Sequence, residues 1–331
     1  MPPDVRVVLL GTAGGPLPSP VRSGISTAVV VGERLHLVDC GSGVTRQLRR
    51  AQLLRNLHQV YLTHLHSDHD CEFFNLFLLG WPIVQWGPPV HAFGPGPAGG
   101  LAALPADEPG EAPFPLVSPD SPTPGLIAST ELKFAAHAYD INLRLRDSGR
   151  SDLRDLVVPH EIALPAGLDA RGPDQVAPEM EPIVVSADDD VRVTAVLVHH
   201  APVFPAFAFR FDTERGSVVV SGDTAPCANL TRLAAGADIL VHEVFDDSAE
   251  EEWTDSETPN PEFRQYEHLV NSHTPISVIA KVAAEAGAGK LVLTHFVPRE
   301  DTLPDEHWLE RIGPEFSGEV VVGHDLAEFN L

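Results

Sequence analysis

The stretch "YLTHLHSDHDCEF", Tyr61 to Phe73, places three histidines and an aspartate within six residues, directly after an apolar run. Imidazole and carboxylate groups are the ligands that zinc and related ions prefer in proteins. Removing four such groups from water at one strand end would be costly without an ion to satisfy them. The sequence therefore predicts a metal site after a strand, formed by His64, His66, Asp68 and His69.

Three further ligand candidates also follow predicted strands. His199 follows "AVLV", Asp223 follows "VVVSG" and His295 follows "LVLT". Seven groups at strand ends are enough for two ions with three protein ligands each and one shared carboxylate. A single histidine after a strand is more often a surface or packing residue, so the cluster after Tyr61 carries the prediction. If the strand continues, His200 should point to the side opposite His199.

Short apolar runs separated by turns and helices organise both halves of the 331-residue chain. Strands are predicted at Val5 to Gly11, Ile25 to Gly32 and Leu35 to Gly41, before a helix near Val44 to Leu54. The second half repeats this arrangement from Val191 onward. Two strand-rich halves with helices on their outer sides predict an α/β fold, a four-layer αββα sandwich that forms one domain over residues 1–331.

The middle of the chain has a different composition. Seven prolines between Leu104 and Pro124 exclude regular structure there. Gly125 to Asp147 is predicted to be a long helix. We expect residues 104–190 to be an insertion within the domain, and its proline-rich part to be a lid or cap over the substrate site.

The charge balance is strongly acidic, with 47 Asp and Glu against 22 Lys and Arg and a formal net charge of -25. Binding to phosphates depends on clustered Lys and Arg, so a nucleic-acid partner is disfavoured, although one basic groove is not excluded. Three widely spaced cysteines suit a reducing compartment. No apolar run is long enough for a membrane helix, and "MPPD" does not begin an export signal. We expect a cytoplasmic protein without membrane contact, as a monomer or a homodimer.

The motifs carry a resemblance to a known family. "THLHSDH" (Thr63 to His69) resembles the T-H-x-H-x-D-H signature of the metallo-β-lactamase superfamily, and His199, Asp223 and His295 follow in that superfamily's order. The resemblance runs from about Val5 to Phe329, interrupted by the insertion. Six shorter segments are similar to the tRNase Z branch: "GTAGG", "VDCGSGVTRQL", "SGDT", "ILVHEVF", "NSHT" and "LVLTHFVPR".

The resemblance implies a binuclear centre of zinc, or of manganese or iron in its place. The implied ligands are His64, His66 and His199 on one ion, Asp68, His69 and His295 on the other, and Asp223 between them. A hydroxide shared by the ions would be the nucleophile, oriented by Asp68. His273 of "NSHT", aimed by Glu243 of "HEVF", would protonate the leaving group. The alternative is that Glu243 and His273 only brace loops around the metals.

The substrate is the least determined part of the prediction. Val203 and Phe204, directly after the histidine pair, are predicted to form an apolar pocket wall. Relatives that process tRNA typically carry a basic arm, whereas Leu104 to Pro124 contains no Lys or Arg. We therefore expect a dinuclear zinc hydrolase of a small-molecule phosphodiester, ester or lactone. The alternatives are a tRNA 3'-processing endoribonuclease, promiscuous β-lactam hydrolysis, and a redox member of the fold, which the complete ligand set disfavours.

Overall fold

Two seven-stranded sheets pack face to face in the computed structural model, which describes residues 2–101, 115–168, 175–248, 269–297 and 303–331. One apolar core lies between the sheets and extends to the helices behind the second sheet. Another lies between the first sheet and its own helices. The predicted α/β architecture, a four-layer αββα sandwich, is confirmed.

The elements follow one another along the chain with short connections. The strands are β1 (Val5–Gly11), β2 (Ser26–Val31), β3 (Arg34–Val38), β4 (Leu57–Tyr61), β5 (Val90–Gly94), β6 (Val157–Glu161), β7 (Ile183–Ala187), β8 (Val191–Leu197), β9 (Phe207–Thr213), β10 (Gly216–Val220), β11 (Ile239–Phe245), β12 (Lys290–Val297), β13 (Glu319–Val322) and β14 (Glu328–Asn330). The helices are α1 (Val44–Arg50), α2 (Ser67–Asp70), α3 (Phe73–Val84), α4 (Leu126–Ala136), α5 (Ala138–Ser148), α6 (Leu153–Leu156), α7 (Ala228–Leu233), α8 (Ile276–Ala286) and α9 (Asp305–Leu309), with a 3-10 turn at Leu54–Asn56.

Strand alternation explains how the layers form. In β1, Val7 and Leu9 face the core between the sheets, whereas Val8 and Leu10 face the helices of the first sheet. Successive side chains of a strand point to opposite faces, so an apolar residue at every position lets β1 bury both faces.

Strand direction brings the ends of several strands to one edge of the sandwich. The first sheet has the order β14-β1-β2-β3-β4-β5-β6, in which β3 to β6 are parallel. The second has the order β13-β12-β11-β10-β9-β8-β7, in which β10 to β13 are parallel and β8 runs in the same direction. Ligands in open α/β sheets bind outside the carboxyl ends of such strands.

Residues 104–190 contribute to both sheets. β6 pairs with β5 at the edge of the first sheet, and β7 pairs with β8 at the edge of the second. The predicted long helix is two helices, α4 and α5, which meet at His137, whose ring stacks on Phe74 at 5.3 Å between centroids. Residues 102–114 of the proline-rich segment lie outside the described residues, so the lid stays a prediction. In the described part of the chain, no helix is long and apolar enough to cross a membrane.

A neutral histidine is buried in the core between the sheets. His36 of β3 is 0% exposed, and neither ring nitrogen has a hydrogen-bond partner among the described residues. Its ring packs against Tyr61 and Phe211, with centroids 6.2 and 6.1 Å away. Burial, together with nearby His58 and Arg34, lowers the pKa of His36 to about 4.

This burial predicts a loss of stability in acid. The unfolded chain protonates His36 near its ordinary pKa of about 6.5, whereas the folded protein resists protonation, so stability falls as the pH drops below that value. Between about pH 7.5 and about pH 5 this one group should cost about 2 kcal/mol. In urea unfolding at both pH values, His36→Phe should lose less stability than the wild type. His324→Phe, at a half-exposed position, is the control. A pH dependence unchanged by His36→Phe would contradict the assignment.

Candidate metal centre

The carboxylate of Asp223 lies at the centre of a group of four histidines. It is 3% exposed and comes directly after β10. Its Oδ2 atom is close to the Nε2 atom of each ring, at 3.9 Å from His64, 3.2 Å from His69, 3.8 Å from His200 and 3.3 Å from His295. An oxygen that approaches two pairs of rings in this way is suited to bridge two metal ions.

Each of these side chains comes from the end of a strand. His64, His66 and His69 lie in the loop and short helix after β4, and His200 follows β8. His295 lies within β12, where the pairing with β11 shifts by one residue between Glu243 and Val244. Its φ of 46° is unusual for a residue other than glycine. Such a bulge re-aims a side chain, and here it directs the His295 ring at Asp223.

The potential ligand atoms form two adjoining groups. His64, His66 and His200 form one group, and Asp68, His69, Asp223 and His295 form the other, with the atoms of each group within 4.8 Å of one another. The Nε2 atoms of His64, His69 and His295 are buried without a hydrogen-bond partner in the described part of the chain. Each would cost about 1–3 kcal/mol if left unsatisfied. Imidazole and carboxylate donors fit zinc, manganese or iron, so the residues present suit a metal pair.

Protonation of the rings is compatible with metal binding. Burial lowers the pKa of His200 to about 3 and that of His64 well below its ordinary value, so both rings are neutral near pH 7, as ligands must be. Burial would also lower the pKa of His69, but Asp223 and Asp39 outweigh it and raise that pKa. A cation beside His69 would take over the role of this proton in balancing the two carboxylates.

One predicted ligand is corrected by the structure. His200, which is 1% exposed, lies beside His64 and His66, whereas His199 belongs to none of the ligand groups found among the described residues. β8 ends at Leu197, and the carbonyl of His199 accepts a hydrogen bond of 2.7 Å from the backbone N–H of Ala225. This contact fixes the backbone so that the His200 ring, and not that of His199, faces the first group.

The rings are oriented by a further set of contacts that sequence reasoning left unassigned. Nδ1 of His69 donates to Oδ2 of Asp39 at 2.8 Å. Nδ1 of His64 lies 3.1 Å from the hydroxyl of Thr63, which in turn donates to Asp39. Nδ1 of His200 donates to the carbonyl of Ser272 at 2.9 Å. These contacts leave Nε2 of each ring for a metal, and such contacts typically fix ring orientation in metal sites. The one sequence signal was the acid directly after β3, in "VDCG".

Asp68 is held by a close backbone approach. Its side chain is 12% exposed, and its Oδ2 lies 3.5 Å from Nε2 of His69 and 3.6 Å from Nε2 of His295. Burial would raise the pKa of Asp68, but a hydrogen bond from His295 and the charge on His69 outweigh it and lower the pKa to about 2. A Cβ atom on Gly15 would lie 2.2 Å from Oδ2 of Asp68, so any larger residue there would displace this carboxylate.

Glu243 and His273 lie together beside the ligand groups. Nδ1 of His273 donates to Oε1 of Glu243 at 3.1 Å, and the same oxygen accepts from the backbone N–H groups of Thr224 and Thr274. A ring nitrogen of His273 lies within 4.8 Å of potential ligand atoms of His200 and Asp223. Burial would lower the pKa of His273, but Glu243 raises it to about 9. The pair thus has the contacts of a brace and the charge state of a proton donor.

Val203 and Phe204 lie in the turn that follows His200. The backbone N–H of Val203 donates to the carbonyl of His200 at 2.8 Å. Both side chains are partly buried, and Phe204 packs against the core between the sheets. The turn is therefore close to the metal groups, and its role as a pocket wall stays a prediction.

Comparison with known proteins gives consistent results along nearly the whole chain. The family profile of the metallo-β-lactamase superfamily matches residues 20–268. A protein named ribonuclease Z from Mycobacterium bovis (strain BCG / Pasteur 1173P2) is 33% identical over 326 residues, covering 97% of this chain and 96% of its own. Ribonuclease Z from Mycobacterium avium (strain 104) is 34% identical with the same coverage.

Solved structures agree on the fold. Human tRNase Z, short form, superposes with a TM-score of 0.63 at 20% identity, covering 98% of each chain. The metallo-β-lactamase fold protein YhfI from Bacillus subtilis gives a TM-score of 0.63 at 18% identity, covering 99% of this chain and 100% of its own. The ribonuclease Z relatives weaken the expectation, drawn from net charge, that a nucleic-acid partner is unlikely.

The two adjacent histidines give a matched test of the ligand assignment. His200→Ala should remove a ligand of the first group and weaken zinc binding by about 10-fold or more, because truncation leaves an open position beside His64 and His66. His199→Ala should retain wild-type zinc content. Zinc bound after dialysis, measured by mass spectrometry of the metal, separates the two variants. The reverse pattern would restore His199 as the ligand.

Proposed function

This chain is a metal-dependent hydrolase that belongs to the metallo-β-lactamase superfamily, and we propose that it cleaves RNA phosphodiester bonds, as its ribonuclease Z relatives are named for doing. The proposal replaces the small-molecule substrate favoured by composition. It is supported by relatives that are more than 30% identical over 97% of this chain. The tRNA 3'-processing activity, weighed above as an alternative, is the specific form that we propose.

The position of the Glu243 and His273 pair is the observation that carries this proposal. Cleavage of an RNA phosphodiester expels a ribose alkoxide, which is a poor leaving group and needs a proton. The His273 ring lies beside His200 and His295, with centroid separations of 5.1 and 5.7 Å. A protonated imidazole at this place is suited to deliver that proton, because Glu243 both aims the ring and favours its charged form.

The other residues have separable roles in this proposal. His64, His66 and His200 would hold one zinc ion, and Asp68, His69 and His295 a second, with Asp223 shared. Two bound ions would activate water and neutralise charge on the phosphoryl oxygens. Asp39, Thr63 and Ser272 keep the rings oriented. Val203 and Phe204 would exclude bulk water on one side.

The net charge of -25 favours a second candidate, hydrolysis of a small phosphodiester. A chain with few cations gains little from counterion release when it binds a long polyanion. Lys133 of α4 illustrates the point, because its Nζ is paired with Asp70 at 2.6 Å, directly after the metal ligands. A small substrate would need only the metal pair and the nearby turn.

Turnover of several substrates by the zinc-loaded protein tests these proposals. A tRNA precursor with a 3' extension, bis-p-nitrophenyl phosphate, a lactone and a β-lactam are compared, with Asp223→Ala and a chelator as inactive controls. We expect the precursor to be cleaved with the highest kcat/KM, and its binding to weaken only moderately with salt, since few phosphates are neutralised. Cleavage of the diester without binding of RNA would favour the second candidate. Preference for the lactone or β-lactam would overturn both.

The leaving group tests the role of His273. His273→Ala should slow cleavage of RNA by about 100-fold or more, because the alkoxide then leaves without a positioned proton. Cleavage of bis-p-nitrophenyl phosphate should fall far less, since p-nitrophenolate leaves unprotonated. Glu243→Gln should change the two rates in the same direction by a smaller amount. Equal losses on both substrates would assign the pair to bracing alone.

A further inference from the structure

A small cavity lies beneath the metal groups, between the two sheets. Its lining includes Thr27 of β2, Glu243 of β11, and Thr294 and His295 of β12. It has room for about one water molecule. The cavity is on the protein side of the site, since the ligands Asp223 and His69 also line it from above.

Four buried polar atoms of this lining lack a protein partner. They are Oγ1 of Thr27, Oγ1 of Thr294, Oε2 of Glu243 and Nδ1 of His295, none of which has a hydrogen-bond partner in the described part of the chain. All four residues are at most 3% exposed. Nε2 of His295 is the atom that faces Asp68 and Asp223, so Nδ1 is not needed for a metal. Leaving four such atoms unsatisfied would cost several times the 1–3 kcal/mol of one group.

We propose that this cavity is a binding site for one structural water that joins Nδ1 of His295 to Oε2 of Glu243, with Thr27 and Thr294 as its other two partners. A carboxylate oxygen of Glu243 and a ring nitrogen of His295 lie within 4.8 Å of each other, which two hydrogen bonds through one water can span. A buried water typically makes about three hydrogen bonds, and this cavity offers four.

The four partners match the donors and acceptors of a water molecule. Nδ1–H of His295 and one threonine hydroxyl donate to the water oxygen. The two water protons go to Oε2 of Glu243 and to the other threonine oxygen. This arrangement holds His295 in the tautomer that leaves Nε2 for a metal. Thr27 and Thr294 are thus positioning residues for His295, although neither reaches a metal ligand atom directly.

The water also joins two parts of the site that have no direct hydrogen bond in the described chain. Oε1 of Glu243 holds His273, and Oε2 would hold His295 through the water. One carboxylate would then orient both the proton donor and a metal ligand. The inference rests on the proposed metal centre and does not depend on RNA being the substrate.

Crystals of the zinc-loaded wild type, at a resolution that shows ordered water, test the site directly. We expect one water within hydrogen-bond distance of all four atoms. Threonine-to-valine changes test its effect on the metal, because valine keeps the shape and removes the hydroxyl. Thr294→Val should weaken zinc binding by about 10-fold, as measured by competition with a chromophoric chelator. Thr294→Ser, which keeps the hydroxyl, should restore the affinity.

Thr130→Val is the matched control, because Thr130 is also buried but donates to the carbonyl of Leu126 within α4. It should leave zinc affinity unchanged. A cavity without ordered density in the crystals, or equal zinc affinities for Thr294→Val and the wild type, would overturn the proposal. A wild type that binds no zinc would overturn the metal centre, and the same crystals would still decide on the water. Absence of RNA cleavage affects neither readout.

Discussion

The rest of the structure depends on a buried carboxylate surrounded by imidazole nitrogens. Asp223 could not be removed from water at this depth without positive charge close to its oxygen atoms. The rings that supply this environment come from distant parts of the sequence, and only the common direction of β4, β8, β10 and β12 brings them together. The two sheets therefore do more than bury apolar surface, because their shared edge is where the charge of Asp223 is balanced.

A second layer of carboxylates transfers the rigidity of the backbone to the rings. Asp39 accepts from the backbone N–H of Thr63 at 2.8 Å and also binds His69. Glu243 accepts from the backbone N–H of Thr224 at 2.8 Å and also binds His273. Each carboxylate thus ties an imidazole to main chain that is itself fixed by a sheet. Such anchoring places a ring more precisely than contacts between flexible side chains can.

Local pattern predicted much of the fold and most of the site, and long-range contacts determined what was missed. β1 has the predicted bounds because its apolar run is decided by its own residues, and Asp223 and His295 were found because they end apolar runs. The choice between His199 and His200 depended on Ala225, a partner distant in sequence. The edge strand β6 contains Pro159, a residue that disfavours a strand, and forms because β5 offers it a partner.

The loop Asn271 to Thr274 touches both halves of the chemistry. The carbonyl of Ser272 holds the metal-facing ring of His200, the backbone N–H of Thr274 holds Glu243, and His273 lies between them. Metal affinity and proton delivery are therefore not independent modules that evolution can tune one at a time. A shift of this one segment changes both together, so new specificities in such a scaffold are more accessible through the outer loops than through this segment.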